Sequence, residues 1–211
     1  NTSVMRATRT MKENNIRRLP VLSHGKLAGV VTDRDLKDAS PSSTSEIDLH
    51  EMYYMLSEMK IKDVMTDKCI CLQSDDTLEK AALVMLMEKI SGIMILDAEE
   101  NLVGLLSETD ILRGFIHATG IQDGAHQYVI DMPDAPGSVT KVIDTLRRHE
   151  ASVLSILTSF EDAPHNQKRV SIRVSIDEEK RLALEEEIGA LENYYIISYT
   201  KDELENLPSK K

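Results

Sequence analysis

Apolar residues recur along this chain with two periods, and the alternation between them sets out its elements. Val4, Ala7 and Met11 fall at i, i+3 and i+7, the apolar stripe of a helix. A short apolar run from Leu19 to Leu22, a turn at Ser23-His24-Gly25-Lys26 and a second run from Leu27 to Val31 predict two strands. Thr32 stands where a helix N-cap belongs, with Asp33 and Asp35 in the first turn, where negative charge is favoured. Further on, the pattern predicts a strand around Lys68 to Leu72, a helix from Asp76, strands over 93–96 and 102–106 around a turn at 97–101, and a helix from Ser107.

The two stretches are copies of each other. With a shift of 74, Val4, Ala7, Met11 and Ile16 fall on Leu78, Ala81, Met85 and Ile90, and Val21-Leu22 on Ile95-Leu96. After one inserted residue, Leu27-Ala28-Gly29-Val30-Val31 falls on Leu102-Val103-Gly104-Leu105-Leu106, Thr32 on Ser107, and Asp35-Leu36 on Asp110-Ile111. Apolar and polar positions are both respected, which identifies an internal β-α-β-β-α repeat. Between the copies, Ser40 to Ser45 reads as a linker. Glu46 to Met59 reads as a helix with Met52, Met55, Leu56 and Met59 on one side, a packing stripe rather than a cofactor box.

The last third has another order. Gly120 to Gly124 reads as a linker, followed by a strand from Gln127 to Met132 and the turn-rich Pro133-Asp134-Ala135-Pro136-Gly137-Ser138. A helix follows from Ser138 to His149, then a strand from Val153 to Phe160. Val170, Ile172, Val174 and Ile176 alternate with polar residues in a half-buried strand, and a helix over Glu178 to Leu191 and a strand from Tyr194 to Tyr199 complete the chain. The order β-α-β-β-α-β is the ferredoxin-like split βαβ layout.

The repeat resembles a tandem pair of CBS domains. The resemblance is carried by Ile16-Arg17-Arg18-Leu19-Pro20-Val21 and Gly29-Val30-Val31-Thr32-Asp33-Arg34-Asp35-Leu36 in the first copy. The second copy carries it in Val64-Met65-Thr66 and Gly104-Leu105-Leu106-Ser107-Glu108-Thr109-Asp110-Ile111. With Asp-x-Pro-Gly opening its first helix, the last third resembles an ACT domain, and the combination is similar to proteins of the acetoin-utilisation B type. The expected fold class is therefore α/β and α+β: tandem CBS repeats followed by a ferredoxin-like ACT domain. The expected boundaries are 1–39 for the first repeat, 40–60 for linker and helix, 61–118 for the second repeat and 125–202 for the ACT part. The strand that normally precedes the first helix is missing, and the chain, which lacks a starting Met, is read as trimmed.

The resemblance implies an adenosine ligand between the repeats: AMP, ADP, ATP or S-adenosylmethionine. Asp35 and Asp110 would bind ribose, an ionised carboxylate offering acceptors only to the two hydroxyls of a cis-diol. Thr32 and Ser107, beside free N–H groups at helix starts, would hold ribose or phosphate. Arg17, Arg18 and Arg34 would meet phosphates, with at most one of Arg17 and Arg18 facing the cleft because neighbouring strand residues point opposite ways. The plainer reading makes Thr32 and Ser107 N-caps only, and Arg34 a residue of the outer helix face. The second copy has Ser91-Gly92 where the first has Arg17-Arg18, so two unequal sites, or one working site, are expected. In the ACT part the resemblance maps amino-acid binding onto Asp134, Pro136, Gly137 and Ser138, although Pro136 and Gly137 equally suit turn chemistry.

Charge narrows the classes of partner. The chain carries a formal −11, yet residues 1–40 hold eight basic and four acidic groups and are +4, leaving −15 for the rest. Nucleic acid is not expected as a partner, whereas the local basic cluster suits a small anion. No apolar run reaches the ~18 residues of a membrane helix, and no secretory signal is seen, so the chain is read as cytoplasmic. Cys69 and Cys71 are read as reduced, packed thiols and not as a metal site. The histidines are scattered, and no hydrolase, metalloprotease or phosphate-loop motif is present, so no catalytic residue and no catalytic cofactor is expected. The reading is a regulatory homodimeric sensor. A structural dimerisation protein with unused pockets is the alternative, and an enzyme of acetoin-related metabolism a more remote one.

Overall fold

The computed structural model describes residues 2–40 and 48–208; the linker read over 40–45 and the first residues of its helix fall largely outside them. The chain divides into two compact units, Asn1–Ile111 and Leu112–Lys211.

In the first unit, α1 (Val4–Glu13) starts at Ser3, whose hydroxyl accepts from Arg6 N–H at 3.4 Å, and buries Val4, Ala7 and Met11. It stops at Asn14-Asn15, where Asn15 takes a left-handed φ of 51°. β1 (Arg18–Ser23) and β2 (Lys26–Thr32) form an antiparallel hairpin. His24 and Gly25 both have positive φ, as a two-residue turn of that hand requires. α2 (Asp33–Asp38) follows directly. α3 (Leu49–Glu58) lies against α1: Val4 N–H donates to the Met59 carbonyl at 2.9 Å, and Leu56 and Met59 pack on the core of Val4, Ala7, Met11, Val21, Val31 and Leu36.

The second repeat has the same layout with its first strand present. β3 (Cys71–Gln73) runs parallel to β4 (Gly92–Leu96) through the crossover helix α4 (Leu78–Glu88), and β4 pairs antiparallel with β5 (Leu102–Ser107). Its core is Leu72, Ala81, Met85 and Ile93. The register slips between Val21 and Leu22 in the first hairpin and between Ile95 and Leu96 in the second, which are equivalent positions. The copies thus share even this irregularity. The expected strand over Lys68 to Leu72 is shorter and later than predicted. Thr66 bonds instead to Val30 of β2, each N–H donating to the other's carbonyl at 2.9 Å, and the chain reaches β4 only afterwards. α5 (Glu108–Thr119) spans the boundary between the units.

The second unit holds β6 (His126–Pro133), α6 (Ser138–Arg148), β7 (Ser152–Ser159), β8 (Gln167–Ser175), α7 (Glu178–Gly189) and β9 (Tyr195–Lys201). The sheet order is β7-β8-β6-β9 and every neighbouring pair is antiparallel, which is the split βαβ arrangement. Alternate residues of the central strands, Tyr128, Ile130, Met132 and Val170, Ile172, Val174, are buried with Val142, Leu146, Leu184 and Ile188 of the helices. Between them, Asp131, Ser171 and Arg173 are polar and paired. Arg169 grips Asp131 at 2.7 and 2.9 Å, and Arg173 meets Asp202 at 2.9 Å and donates to the Thr119 carbonyl at 2.5 Å, closing the C-terminal end of α5.

Candidate ligand cleft

A cleft of about 440 Å³ opens between the two repeats of the first unit. The first repeat supplies Arg17 and Arg18 at the start of β1 and Val30, Thr32, Asp33 and Arg34 around the end of β2. The second supplies Thr66 and Lys68 to Ile70 before β3, and Lys89 to Gly92 and Met94 at the entry to β4. The Val30–Thr66 bridge joins the two sides.

Of the residues singled out from sequence, Arg17, Arg18, Thr32 and Arg34 line this cleft; Asp35, Ser107 and Asp110 do not. Both arginines reach it, where strand alternation predicts at most one. The reason is local: β1 begins at Arg18, so Arg17 lies outside the pleat that enforces alternation. The two differ in engagement. Arg18 donates from Nη1 to the Ser91 carbonyl and from Nη2 to Ser91 Oγ at 2.5 Å.

The expected N-caps are present and reciprocal. Thr32 N–H and Oγ1 both donate to Asp35 Oδ2, at 2.7 and 2.8 Å, and Asp35 N–H donates back to Thr32 Oγ1 at 3.2 Å. Ser107 and Asp110 repeat this at 2.9, 2.6 and 3.3 Å. The carboxylates therefore serve as the third-residue half of a capping box. Asp35 orients Thr32 from one residue behind the wall.

Sequence reasoning missed Lys68 and Lys89. The repeat marks the position of Lys89, not its role: it is the equivalent of Asn15, and both take left-handed φ, 54° and 51°, to turn the chain from helix to strand; Lys68 has no such mark. The lining then holds five cations, Arg17, Arg18, Arg34, Lys68 and Lys89, against one carboxylate, Asp33. Lys37, bonded to Asp33 at 3.1 Å, holds that carboxyl below its usual range. Burial pushes the Cys69 thiol up, helped by Cys71 and Asp67, so it stays protonated at neutral pH and is no ready nucleophile. Among the described residues no group of three or more His, Cys, Asp or Glu is placed to hold a metal ion. No helix among them is long and apolar enough to cross a membrane.

In the second unit the Asp134–Ser138 segment forms the tight entry to α6. Gly137, at φ 81°, caps the helix without a side chain, and Ser138 N–H donates to the Ala135 carbonyl at 3.2 Å. Asp134 lies 3.8 Å from Lys168. Ser138 is buried, and its Oγ has no hydrogen-bond partner among the described residues.

A paired-repeat module with a cationic cleft between its repeats is the class that this fold and site define. The CBS domain family model matches residues 1–42 and 61–117, so the first part of the chain is a tandem CBS pair. An uncharacterised protein of Methanocaldococcus jannaschii is 28% identical over 54% of this chain and 43% of its own length. A CBS domain-containing protein of Dictyostelium discoideum is 28% identical over 50% of this chain and 74% of its own. The chain thus spans less than half of the first of these relatives. A crystal structure of a CBS domain pair in complex with 5′-methylthioadenosine and S-adenosyl-L-methionine is 28% identical, covers 55% of this chain and 82% of that one, and superposes with a TM-score of 0.44.

Proposed function

We propose that this chain is a regulatory sensor whose CBS pair binds a phosphorylated adenosine ligand in the cleft between the repeats. The observation that carries the reading is the lining: five cations and one carboxylate drawn from both repeats around about 440 Å³. A site of that size suits a nucleotide, and its charge favours AMP, ADP or ATP over the cationic sulfonium of S-adenosylmethionine. Arg17, Lys68 and Lys89 take the phosphate, Arg34 assists, and Thr32, oriented by Asp35, meets the ribose. Ser107 and Asp110 would serve a second, weaker position. A ligand touching both repeats stabilises whichever arrangement it fits better, which is how occupancy becomes a signal.

In the same reading residues 125–202 are an ACT-type domain that dimerises or takes a second small ligand such as an amino acid, near Asp134, Pro136, Gly137 and Ser138. The whole is a cytoplasmic homodimer similar to the acetoin-utilisation B type. The competing reading, a dimerisation protein with idle pockets, is favoured by one observation. Leu83, Leu86 and Met87 on α4 are 57%, 78% and 70% exposed and form a bare apolar stripe.

Calorimetric titration separates the two. AMP should bind, adenosine should bind at least tenfold more weakly, and Arg17→Ala should remove that difference, since charge-assisted bonds to phosphate are worth about 1.5–3 kcal/mol. If neither AMP, ADP, ATP nor adenosine binds the wild-type chain, the sensor reading fails. Sedimentation at micromolar concentration should show a dimer, and a monomer would count against both readings.

A further inference from the structure

Arg18 and Gly92 occupy equivalent positions in the two repeats, and the structure sets one against the other. The Arg18 guanidinium lies over the Cα of Gly92, bonded to the carbonyl and the hydroxyl of Ser91. A Cβ built on Gly92 would overlap Arg18 Nη1 and stand 2.7 Å from Cζ and 3.0 Å from Cδ. No side chain fits at 92 while the guanidinium is in place. Gly92 has no positive φ, so backbone freedom does not explain it; the space it leaves does.

We propose that Arg18 is a positioning residue, a clasp seated in the Gly92 notch that fixes the spacing of the two cleft walls, and not a phosphate ligand. A guanidinium already donating two bonds to Ser91 has fewer donors left for an incoming anion, and its planar fork is held at a set angle. Arg17, one residue earlier, has no such commitment among the described residues. The clasp therefore assigns different work to adjacent arginines: Arg18 sets the geometry and Arg17 meets the charge.

The test is a double-mutant cycle of Arg18→Ala, Gly92→Ala and the pair, read in two ways. By urea unfolding of the full chain, either single change should lower the folding equilibrium constant about tenfold or more. The double variant should be no worse than Arg18→Ala within about twofold, because a methyl at 92 meets nothing once the guanidinium is gone. Additive losses, or no loss in either single variant, overturn the clasp. By titration, which rests on the adenosine-anion reading, Arg18→Ala and Gly92→Ala should weaken AMP and adenosine by the same factor. Loss of AMP alone in Arg18→Ala, with AMP binding kept or improved in Gly92→Ala, would make Arg18 a phosphate ligand and overturn the proposal. If no adenosine compound binds the wild type, the sensor reading falls, and the unfolding cycle still decides the clasp.

Discussion

The carboxylates of Asp35 and Asp110 each accept two hydrogen bonds from their cap residue, Thr32 or Ser107, so a loss of ligand binding on their removal has two origins. Asp35→Ala or Asp110→Ala should destabilise the free chain by about 1–2 kcal/mol, as loss of a helix cap does, seen as a lower urea midpoint without nucleotide. Only a loss of affinity beyond that shift reports on the ribose. His126 gives a separate signal. It is 2% exposed at the start of β6, with Nδ1 2.9 Å from Tyr199 Oη, its ring stacked on that of Tyr199, and Nε2 3.8 Å from Glu178. Burial lowers its pKa; Lys201 and Arg181 act the same way, and Glu178 and Glu185 oppose them. The unfolded chain then takes up this proton first, so stability is full above about pH 6.5 and falls as pH drops from there toward the lower folded value. Between pH 7.5 and 5.5 the urea midpoint of the second unit should fall in the wild type and fall less in His126→Asn.

At the scale of elements, equivalent glycines show what the repeat conceals. A Cβ at Gly29 would meet the Thr66 carbonyl oxygen at 2.7 Å and Met65 Sδ at 2.8 Å, whereas at Gly104 the nearest atom is Ile95 Cβ at 4.0 Å. Gly29→Ala should therefore cost about 1–3 kcal/mol by forcing β2 away from the Thr66 segment, while Gly104→Ala should stay within about 0.5 kcal/mol. Equal effects in thermal or urea unfolding would show that the Val30–Thr66 bridge does not constrain β2. Periodicity made the strands and helices readable because burial enforces it: Val4, Ala7, Met11 and Val170, Ile172, Val174 are all buried. It failed where backbone bonding overrides side-chain pattern. Lys68 to Ile70 read as strand, but the Thr66 bridge delays the pairing with β4 until Cys71. The paired bulges in the two hairpins left no mark in residue type at all.

At the scale of the molecule, the cleft was half legible. Thr32, Arg17, Arg18 and Arg34 stand close together in sequence and could be grouped from it; Lys68 and Lys89 reach them only through folding, and a lysine at a turn carries no signature of its own. The division at Ile111/Leu112 predicts two separable foldings. The second unit has a core of its own, from Tyr128 to Tyr194, so a fragment from residue 108 to 208 should show cooperative urea unfolding with mixed helix and sheet circular dichroism. A non-cooperative fragment would mean that the core needs the first unit. The Arg18–Gly92 fit also bears on which halves can meet. A duplicated hairpin that kept its symmetry would pair equally well with its own twin from another molecule. Here, joining two first repeats would bring two guanidinium groups to one spot, and joining two second repeats would leave a gap with nothing to fill it. The fit therefore favours a first repeat against a second and disfavours like against like, whether the two repeats come from one chain or from two.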